Sequence, residues 1–482
     1  MKLLISQPLW LTLSVWALYV VFYEKKTPGV IWAWLFVLFF LPGIGLFAYL
    51  IFGADGRKHK RFSQKARRDE SIFAHFMEKY PDMADNSYVL NSEGIIPAEN
   101  PKHLNDLVLM NRNSGRSPYR SNNSIKIYNE GESKFKDLLD DIEGAKHFIH
   151  MQYYLFHDDM LGTAIMNALA KKAKEGIEVK LLYDGMGNAS NLPNFSRILK
   201  KAGGDVRLFL PPRGIRINYR NHRKIAVIDG QIGYIGGLNI GDEYISQSKR
   251  FGFWRDTHIR IVGDAVKDLE LRFIMDWNFT KGQSLGIEPK YFPEVSRQEE
   301  SINMQIISSG PDSRWDNIHN NYFKMITEAN KRIYIATPYF VPDDSLLEAL
   351  KTAALSGVDV RIIIPAKPDH PFVYYSSINY LGELLDAGVK CYEYTKGFIH
   401  SKVMTMDGII TSVGTANMDI RSFKLNFEVN ALIYNQKVTE EFDRQFDIDF
   451  NDCRKMTKSI YESKGKITKF KEAVARLISP LL

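Results

Sequence analysis

Only two of the 482 residues are cysteines, Cys391 and Cys453. They stand far apart and outside any CxxC or Cys/His cluster, which excludes a disulfide-built scaffold and a structural zinc site and suits a reducing compartment. HExxH and carboxylate clusters with metal-ligand spacing are also missing, so no metal and no cofactor is expected. No low-complexity tract is present, and 45% hydrophobic, 12% aromatic and 25% charged residues make the composition that of a folded protein. At about 150 residues per domain the length allows two or three modules. Lys plus Arg at 63 against Asp plus Glu at 56 leaves +7, a modest excess that suits an anionic partner without deciding between lipid and nucleic acid.

Charge is absent from Leu3 to Tyr23 and from Pro28 to Phe52, runs of 21 and 25 residues. Each is long enough to cross ~30 Å of hydrocarbon as a helix, and Trp10, Tyr23, Trp32 and Tyr49 stand near their ends, where amphipathic rings favour a membrane interface. Pro42, Gly43 and Gly45 leave room for a kinked or re-entrant second segment. A signal peptide is disfavoured, because the first run lacks a small-residue cleavage pattern and leads straight into the second. Arg57, Lys58, Lys60, Arg61, Lys65, Arg67 and Arg68 follow, the flank that the positive-inside rule places in the cytoplasm. The reading is a two-helix membrane anchor over 1–56, multi-pass in the cell membrane with the remainder on the cytoplasmic side, then a basic flank and connector over 57–122.

The rest of the chain repeats itself. His222, Lys224, Asp229, Gly236 and Asn239 recur as His400, Lys402, Asp407, Gly414 and Asn417, every pair offset by 178 positions. Upstream, an apolar run from Phe148 parallels one from Arg332. Each leads through a helix-period segment (Leu161 to Lys174, Ser345 to Leu355) and a glycine, Gly176 or Gly357, into a second apolar run. Strand, helix, strand is the signature of an α/β layer. The expected architecture is two tandem α/β modules over 123–290 and 301–482. Pro81 to Ser124 reads as one connector and Lys281 to Ser301 as the other.

In each copy His and Lys are two apart, so on a strand both side chains share a face. Asp229-Gly230 and Asp407-Gly408 have type I′ hairpin chemistry, and parity puts both aspartates off the His/Lys face as turn-forming residues. Asn239 and Asn417 follow on loops, amides able to donate to a phosphoryl oxygen. Two copies brought face to face place two imidazoles, two ammoniums and two amides around one point. That set suits a phosphodiester: one His attacks phosphorus, the other protonates the leaving alkoxide, and lysines and asparagines neutralise the oxygens. Each imidazole needs an orienting carboxylate, for which Asp256 is the candidate in the first copy and Glu428 in the second, 34 and 28 residues after their histidines. His258 reads as a packing residue.

Paired HxKxxxxD segments with a following Gly-rich turn and Asn resemble the phospholipase D superfamily. Residues 218–224, 236–244, 254–258 and 414–428 are similar, more narrowly, to the bacterial cardiolipin synthases, as are the two N-terminal runs and the C-terminal 473–482. Gly237 stands where the second copy has Thr415. The resemblance implies two phospholipase D-like modules of mixed sheet flanked by helices, related by a pseudo-two-fold, behind two transmembrane helices. It implies condensation of two phosphatidylglycerol molecules to cardiolipin and glycerol through a phosphatidyl-histidine, without a metal, and it points to His222 as nucleophile. The alternative is a phospholipase D-type hydrolase, which shares the intermediate and passes it to water. Anionic membrane lipids are the expected partners and no nucleic acid is expected; the basic flank and Arg213, Arg216, Arg220 and Arg223 would attract headgroups. Ile467 to Leu482, apolar at helical spacing with interleaved cations, reads either as an interfacial helix or as core packing.

Overall fold

The computed structural model describes residues 60–81, 101–188, 192–210 and 218–478, preceded by 28–41 and the isolated positions 12, 15, 16, 19, 45, 48 and 49. The first uncharged run therefore lies almost wholly outside the described residues, as do Arg213 and Arg216. In the second run the helix Pro28–Phe40 presents Trp32, Phe36, Phe39 and Phe40 at its surface. No helix among the described residues is long and apolar enough to cross a membrane.

The first module holds β1 (Asn123–Tyr128), β2 (Phe148–Tyr153), β3 (Glu178–Tyr183), β4 (Asp205–Leu208), β5 (Arg220–Asn221), β6 (Ile225–Ile228), β7 (Ile232–Gly236), β8 (Phe253–Arg255) and β9 (His258–Gly263). Seven of these form a mixed sheet in the order β1-β9-β7-β6-β2-β3-β4. The second module holds β10 (Asn303–Ser309), β11 (Arg332–Ala336), β12 (Phe340–Val341), β13 (Asp359–Pro365), β14 (Lys390–Tyr394), β15 (Gly397–Ile399), β16 (Val403–Met406), β17 (Ile410–Gly414), β18 (Met418–Asp419), β19 (Asn426–Tyr434) and β20 (Cys453–Met456). Its main sheet runs β10-β19-β17-β16-β11-β13-β14-β20. The first seven positions repeat the first sheet strand for strand, so the duplicated spacing is a duplicated topology.

Local chemistry explains the crossovers. Asp159 and Asp343 cap the helices Met160–Lys174 and Asp344–Leu355, each carboxylate accepting the N–H three residues on. The helices end before Gly176 and Gly357, both at positive φ, and the chain returns as β3 and β13 in parallel with β2 and β11. Each sheet has its own outer core, and a third cluster lies between the modules. There Ile225, Ile235 and Leu269 meet Met304, Val413 and Val429. The helix Ala265–Phe279 fills much of this interior, with thirteen of its fifteen residues buried.

Two expectations need correction. The connector contains a helix, Pro101–Gly115, whose Leu104, Leu107 and Val108 enter the second module's core. Their helical spacing is hidden among Asn and Ser. The basic flank is not a uniformly solvated, lipid-facing strip either: the helix Lys60–Lys79 buries Phe62, Lys65 and Phe76. Phe62 packs against Tyr219 and Phe427, while Lys65 lies 2.6 Å from Asp69, 3.0 Å from Asp276 and 2.7 Å from Asp312.

Candidate active site

Two hairpins set the frame. Asp229 and Gly230 have φ of 52° and 66°, and Asp407 and Gly408 have 54° and 77°, the paired left-handed conformation of a type I′ turn. The Asp229 carboxylate accepts the N–H groups of Lys146, His147 and Phe148 at 2.7–2.9 Å. Asp407 accepts those of Asn330, Lys331 and Arg332 over the same range. Both aspartates bind the chain entering the neighbouring strand and stay away from the histidines.

His222 and Lys224 precede β6 rather than lying on it, and His400 and Lys402 likewise precede β16, so the strand pleat expected to align them does not do so. Backbone exchange between the modules holds them instead. β5 pairs in parallel with the start of β19, and the His222 N–H donates to Phe427 O at 3.0 Å. Reciprocally, β15 pairs in parallel with β8, and the His400 N–H donates to Arg255 O at 2.7 Å. Each lysine folds back to donate to the carbonyl of its own histidine, Lys224 to His222 at 2.7 Å and Lys402 to His400.

The orienting carboxylates are therefore exchanged relative to the sequence expectation. His222 Nδ1 lies 3.0 Å from both oxygens of Glu428, and His400 Nδ1 lies 2.7 Å from Asp256 Oδ2. The reason is the strand exchange: Glu428 follows the segment paired with β5, and Asp256 follows β8, which is paired with β15. Glu428 also accepts from Thr415 Oγ1 at 2.6 Å and Asn426 Nδ2 at 3.1 Å, while Asp256 accepts the Thr257 N–H at 2.7 Å. Gly237 occupies the place of Thr415 because a methyl group there would overlap the Asp256 carboxylate.

Burial pushes both imidazoles down to about 4, with Lys224 reinforcing the shift at His222 and Lys402 at His400, against the pull of Glu428 and Asp256. Burial acts the other way on the two carboxyls, yet their histidine partners and the neighbouring lysines outweigh it and hold Asp256 and Glu428 below the usual range. Each ionised carboxylate thus fixes a neutral imidazole with Nδ1–H toward itself, leaving Nε2 as a lone pair. Burial also holds Lys224 well below an ordinary lysine and Lys402 at about 8. Among the described residues neither ammonium has a carboxylate within salt-bridge distance. Two buried lysines of this kind, side by side, suit an anion between them.

The asparagines differ. Asn239 directs its oxygen to the Leu155 N–H at 3.2 Å and its amide to the Tyr244 hydroxyl at 3.2 Å. Asn417 is buried with its side-chain oxygen unpartnered within the protein. His258 is fully buried and neither ring nitrogen has a protein partner. Several neighbours escaped the sequence reading. Tyr154 sets its ring 5.1 Å from His222 and 5.4 Å from the Lys224 ammonium, and Trp254 lies 5.3 Å from the His400 ring. The motif Phe253-Trp254-Arg255-Asp256 held that signal, since a residue two before the carboxylate shares its face. Arg223, expected among the headgroup-attracting arginines, is buried: it binds Asp276 at 2.6 Å, Glu428 O at 3.1 Å and Ser309 O at 3.2 Å. Its side chain runs to Asp276, which also pairs with Lys65.

Two matched mixed-sheet modules that exchange strands around paired HxK segments define a phospholipase D-type protein. The family model described as "Cardiolipin synthase, PLD-like domain" matches residues 138–277 and 322–450, and one described as "Phospholipase_D-nuclease N-terminal" matches 12–53. A cardiolipin synthase of Oceanobacillus iheyensis is 45% identical over 97% of this chain and 96% of its own length. The cardiolipin synthases of Listeria welshimeri and Staphylococcus aureus are 46% and 44% identical over 96% and 97% of this chain and over 95% and 94% of their own lengths. Within the phospholipase D class the chain belongs to the cardiolipin synthase family. Among solved structures, the phosphatidylserine synthase of Haemophilus influenzae shares the fold, with a TM-score of 0.60 at 16% identity over 77% of this chain and 96% of that one.

Proposed function

We propose that the chain condenses two phosphatidylglycerol molecules to cardiolipin and glycerol. His222 Nε2 attacks the phosphorus of the first molecule, the bond from phosphorus to the headgroup glycerol oxygen breaks, and His400 gives that oxygen its proton. The phosphatidyl group now sits on His222. His400 next takes the proton from a terminal hydroxyl of the second phosphatidylglycerol, whose oxygen attacks phosphorus and restores neutral His222. For its acid step His400 must carry a proton despite its depressed pKa, and the charge of the bound phosphodiester supplies the counter-field. Lys224 and Lys402 hold the phosphoryl oxygens, and the Asn239 and Asn417 amides become further donors when they turn to the phosphate from Tyr244 and Asp419. Asp256 and Glu428 fix the imidazole tautomers, and Asp229 and Asp407 hold the hairpins.

The observation that carries this reading is the reciprocal pair of imidazoles, each tied through Nδ1 to a buried carboxylate of the other module, beside two buried lysines that have no carboxylate within salt-bridge distance among the described residues. Family membership supplies the lipid. The uncharged runs and the exposed Trp32, Phe36, Phe39 and Phe40 support anchorage in the cell membrane by two spans, with the modules on the cytoplasmic side. Purified protein given phosphatidylglycerol alone should yield cardiolipin and glycerol in equal amounts by mass spectrometry. Phosphatidic acid with glycerol, and no cardiolipin, would make it a hydrolase.

A further inference from the structure

The last described helix, Lys466–Ile478, shows its apolar residues to the outside. Ile467 is 75% exposed, Phe470 70%, Val474 37% and Leu477 81%. They fall at i, i+3, i+7 and i+10, one stripe along the helix. The side packed on the protein is marked by Glu472 and Ala475, each 1% exposed. Glu472 is neutralised there by Lys464 at 2.8 Å. The usual arrangement of a surface helix, apolar face inward, is reversed.

Cations border the stripe. Lys471 lies on one side of it and Lys466 and Lys469 on the other, by the 100° step of an α-helix. Arg476 anchors the helix to its neighbour Pro371–Leu385, pairing with Glu383 at 2.6 Å and lying 4.7 Å from the Tyr380 ring. That neighbouring helix starts at the catalytic mouth. Asp369, just before it, bonds the Tyr339 hydroxyl and contributes to the field on Lys402, and Phe372 in its first turn is 58% exposed. The exposed stripe is thus linked by one helix to the edge of the anion site.

We infer that Lys466–Ile478 lies in the headgroup region of an anionic bilayer, with Ile467, Phe470, Val474 and Leu477 among the acyl chains and Lys466, Lys469 and Lys471 at the phosphates. An apolar stripe flanked by lysines matches the interfacial helix pattern, in which area burial and attraction to anionic lipid add. A second copy of the chain fits poorly, since apposing two such faces brings like charges together. The helix would hold the catalytic mouth at the lipid surface independently of any N-terminal span. The inference draws on the proposed activity only for the choice of lipid.

The test uses the full chain in vesicles of phosphatidylglycerol and phosphatidylcholine. Phe470→Cys and Leu477→Cys, each in a Cys453→Ser background because Cys391 is buried, are spin-labelled and probed with oxygen and with a water-soluble nickel complex. Labels below the phosphate level, reached by oxygen and shielded from nickel, are expected. Labels open to nickel, or line broadening from a second label across the face, would overturn the inference. A second arm uses Phe470→Glu with Leu477→Glu, which should fold because both sites are exposed. Product formation on vesicles should fall at least tenfold with activity in mixed micelles unchanged; equal activity on both would count against docking. Labels at depth in a protein that makes no cardiolipin would leave the docking intact and remove the proposed activity instead.

Discussion

His222 Nδ1 is held at 3.0 Å by Glu428, a residue 206 positions further along the chain and in the other module. His400 is held in the same way by Asp256, 144 positions before it. Neither module supplies both a motif histidine and the carboxylate that holds it. The candidate site is therefore assembled only when both modules are present and docked, and the core between the sheets holds it together.

The second copy's Thr415 and the first copy's Gly237 solve the same packing problem with different carboxylates. Glu428 is supported by the Thr415 hydroxyl, whereas the Asp256 carboxylate leaves no room for a side chain at 237. Gly237→Ala should displace Asp256 and cut kcat by about 10–100-fold, the scale of a lost orienting contact. Thr415→Val leaves a buried carboxylate oxygen short of a donor and should lower stability by about 1–3 kcal/mol. Steady-state rates and denaturant midpoints separate the two effects; an unchanged kcat in Gly237→Ala would show that Asp256 does not orient His400.

Asp407 accepts three backbone N–H groups. Charge-assisted bonds of this kind are worth about 1.5–3 kcal/mol each before context is counted. Asp407→Ala should move the urea midpoint down by several kcal/mol of stability while kcat of the surviving folded protein stays near wild type. Asp229→Ala should behave alike. A dead enzyme of unchanged stability would instead place these carboxylates in the chemistry.

The repeat spacing was enough to find the histidines, lysines and turn aspartates, because the offset of 178 registers two copies of one local structure. It could not assign Glu428 and Asp256 to their partners. That assignment depends on β5 crossing to β19 and β15 to β8, pairings of two and three residues that leave no periodic trace. Arg223 and Lys65 were misread for a related reason. A buried cation looks like a solvated one in sequence, and only the approach of Asp276 and Asp312 distinguishes it. The helix Pro101–Gly115 was hidden by its polar composition, although its core face was present in Leu104, Leu107 and Val108.

Burial lowers Lys402 to about 8 from 10.5. Between these values the unfolded chain binds the proton more fully than the folded one, so stability rises with pH through that window and the lysine is a full burden below it. The gap corresponds to about 3 kcal/mol. Lys402→Met should accordingly melt higher than wild type at pH 7, with the difference shrinking toward pH 10, while turnover drops by about 10²–10³-fold through loss of phosphoryl stabilisation. Calorimetry across pH checks this, and a variant less stable than wild type at pH 7 would contradict the burden assigned to the buried Lys402.

The exchanged carboxylates make the roles of the two histidines separable. A phosphatidyl-nitrophenol needs no proton on its leaving group, so the first step should require only the nucleophile and its orienting carboxylate. With His222 as nucleophile, His400→Ala should release one equivalent of nitrophenol in a burst and then stall, the phosphatidyl group trapped on His222. Asp256→Asn disturbs the same imidazole and should keep the burst while lowering turnover by about 10²–10⁴-fold, the range of general acid–base catalysis. His222→Ala should show no burst, and Glu428→Gln, which loosens the nucleophile, should slow the burst itself. Stopped-flow absorbance separates the phases and peptide mass spectrometry locates the adduct. If Asp256→Asn slowed the burst and Glu428→Gln spared it, with the adduct on His400, the nucleophile would be His400 and the exchanged pairing would still stand. If each carboxylate instead affected the same step as the histidine of its own module, the exchange across the modules would be wrong.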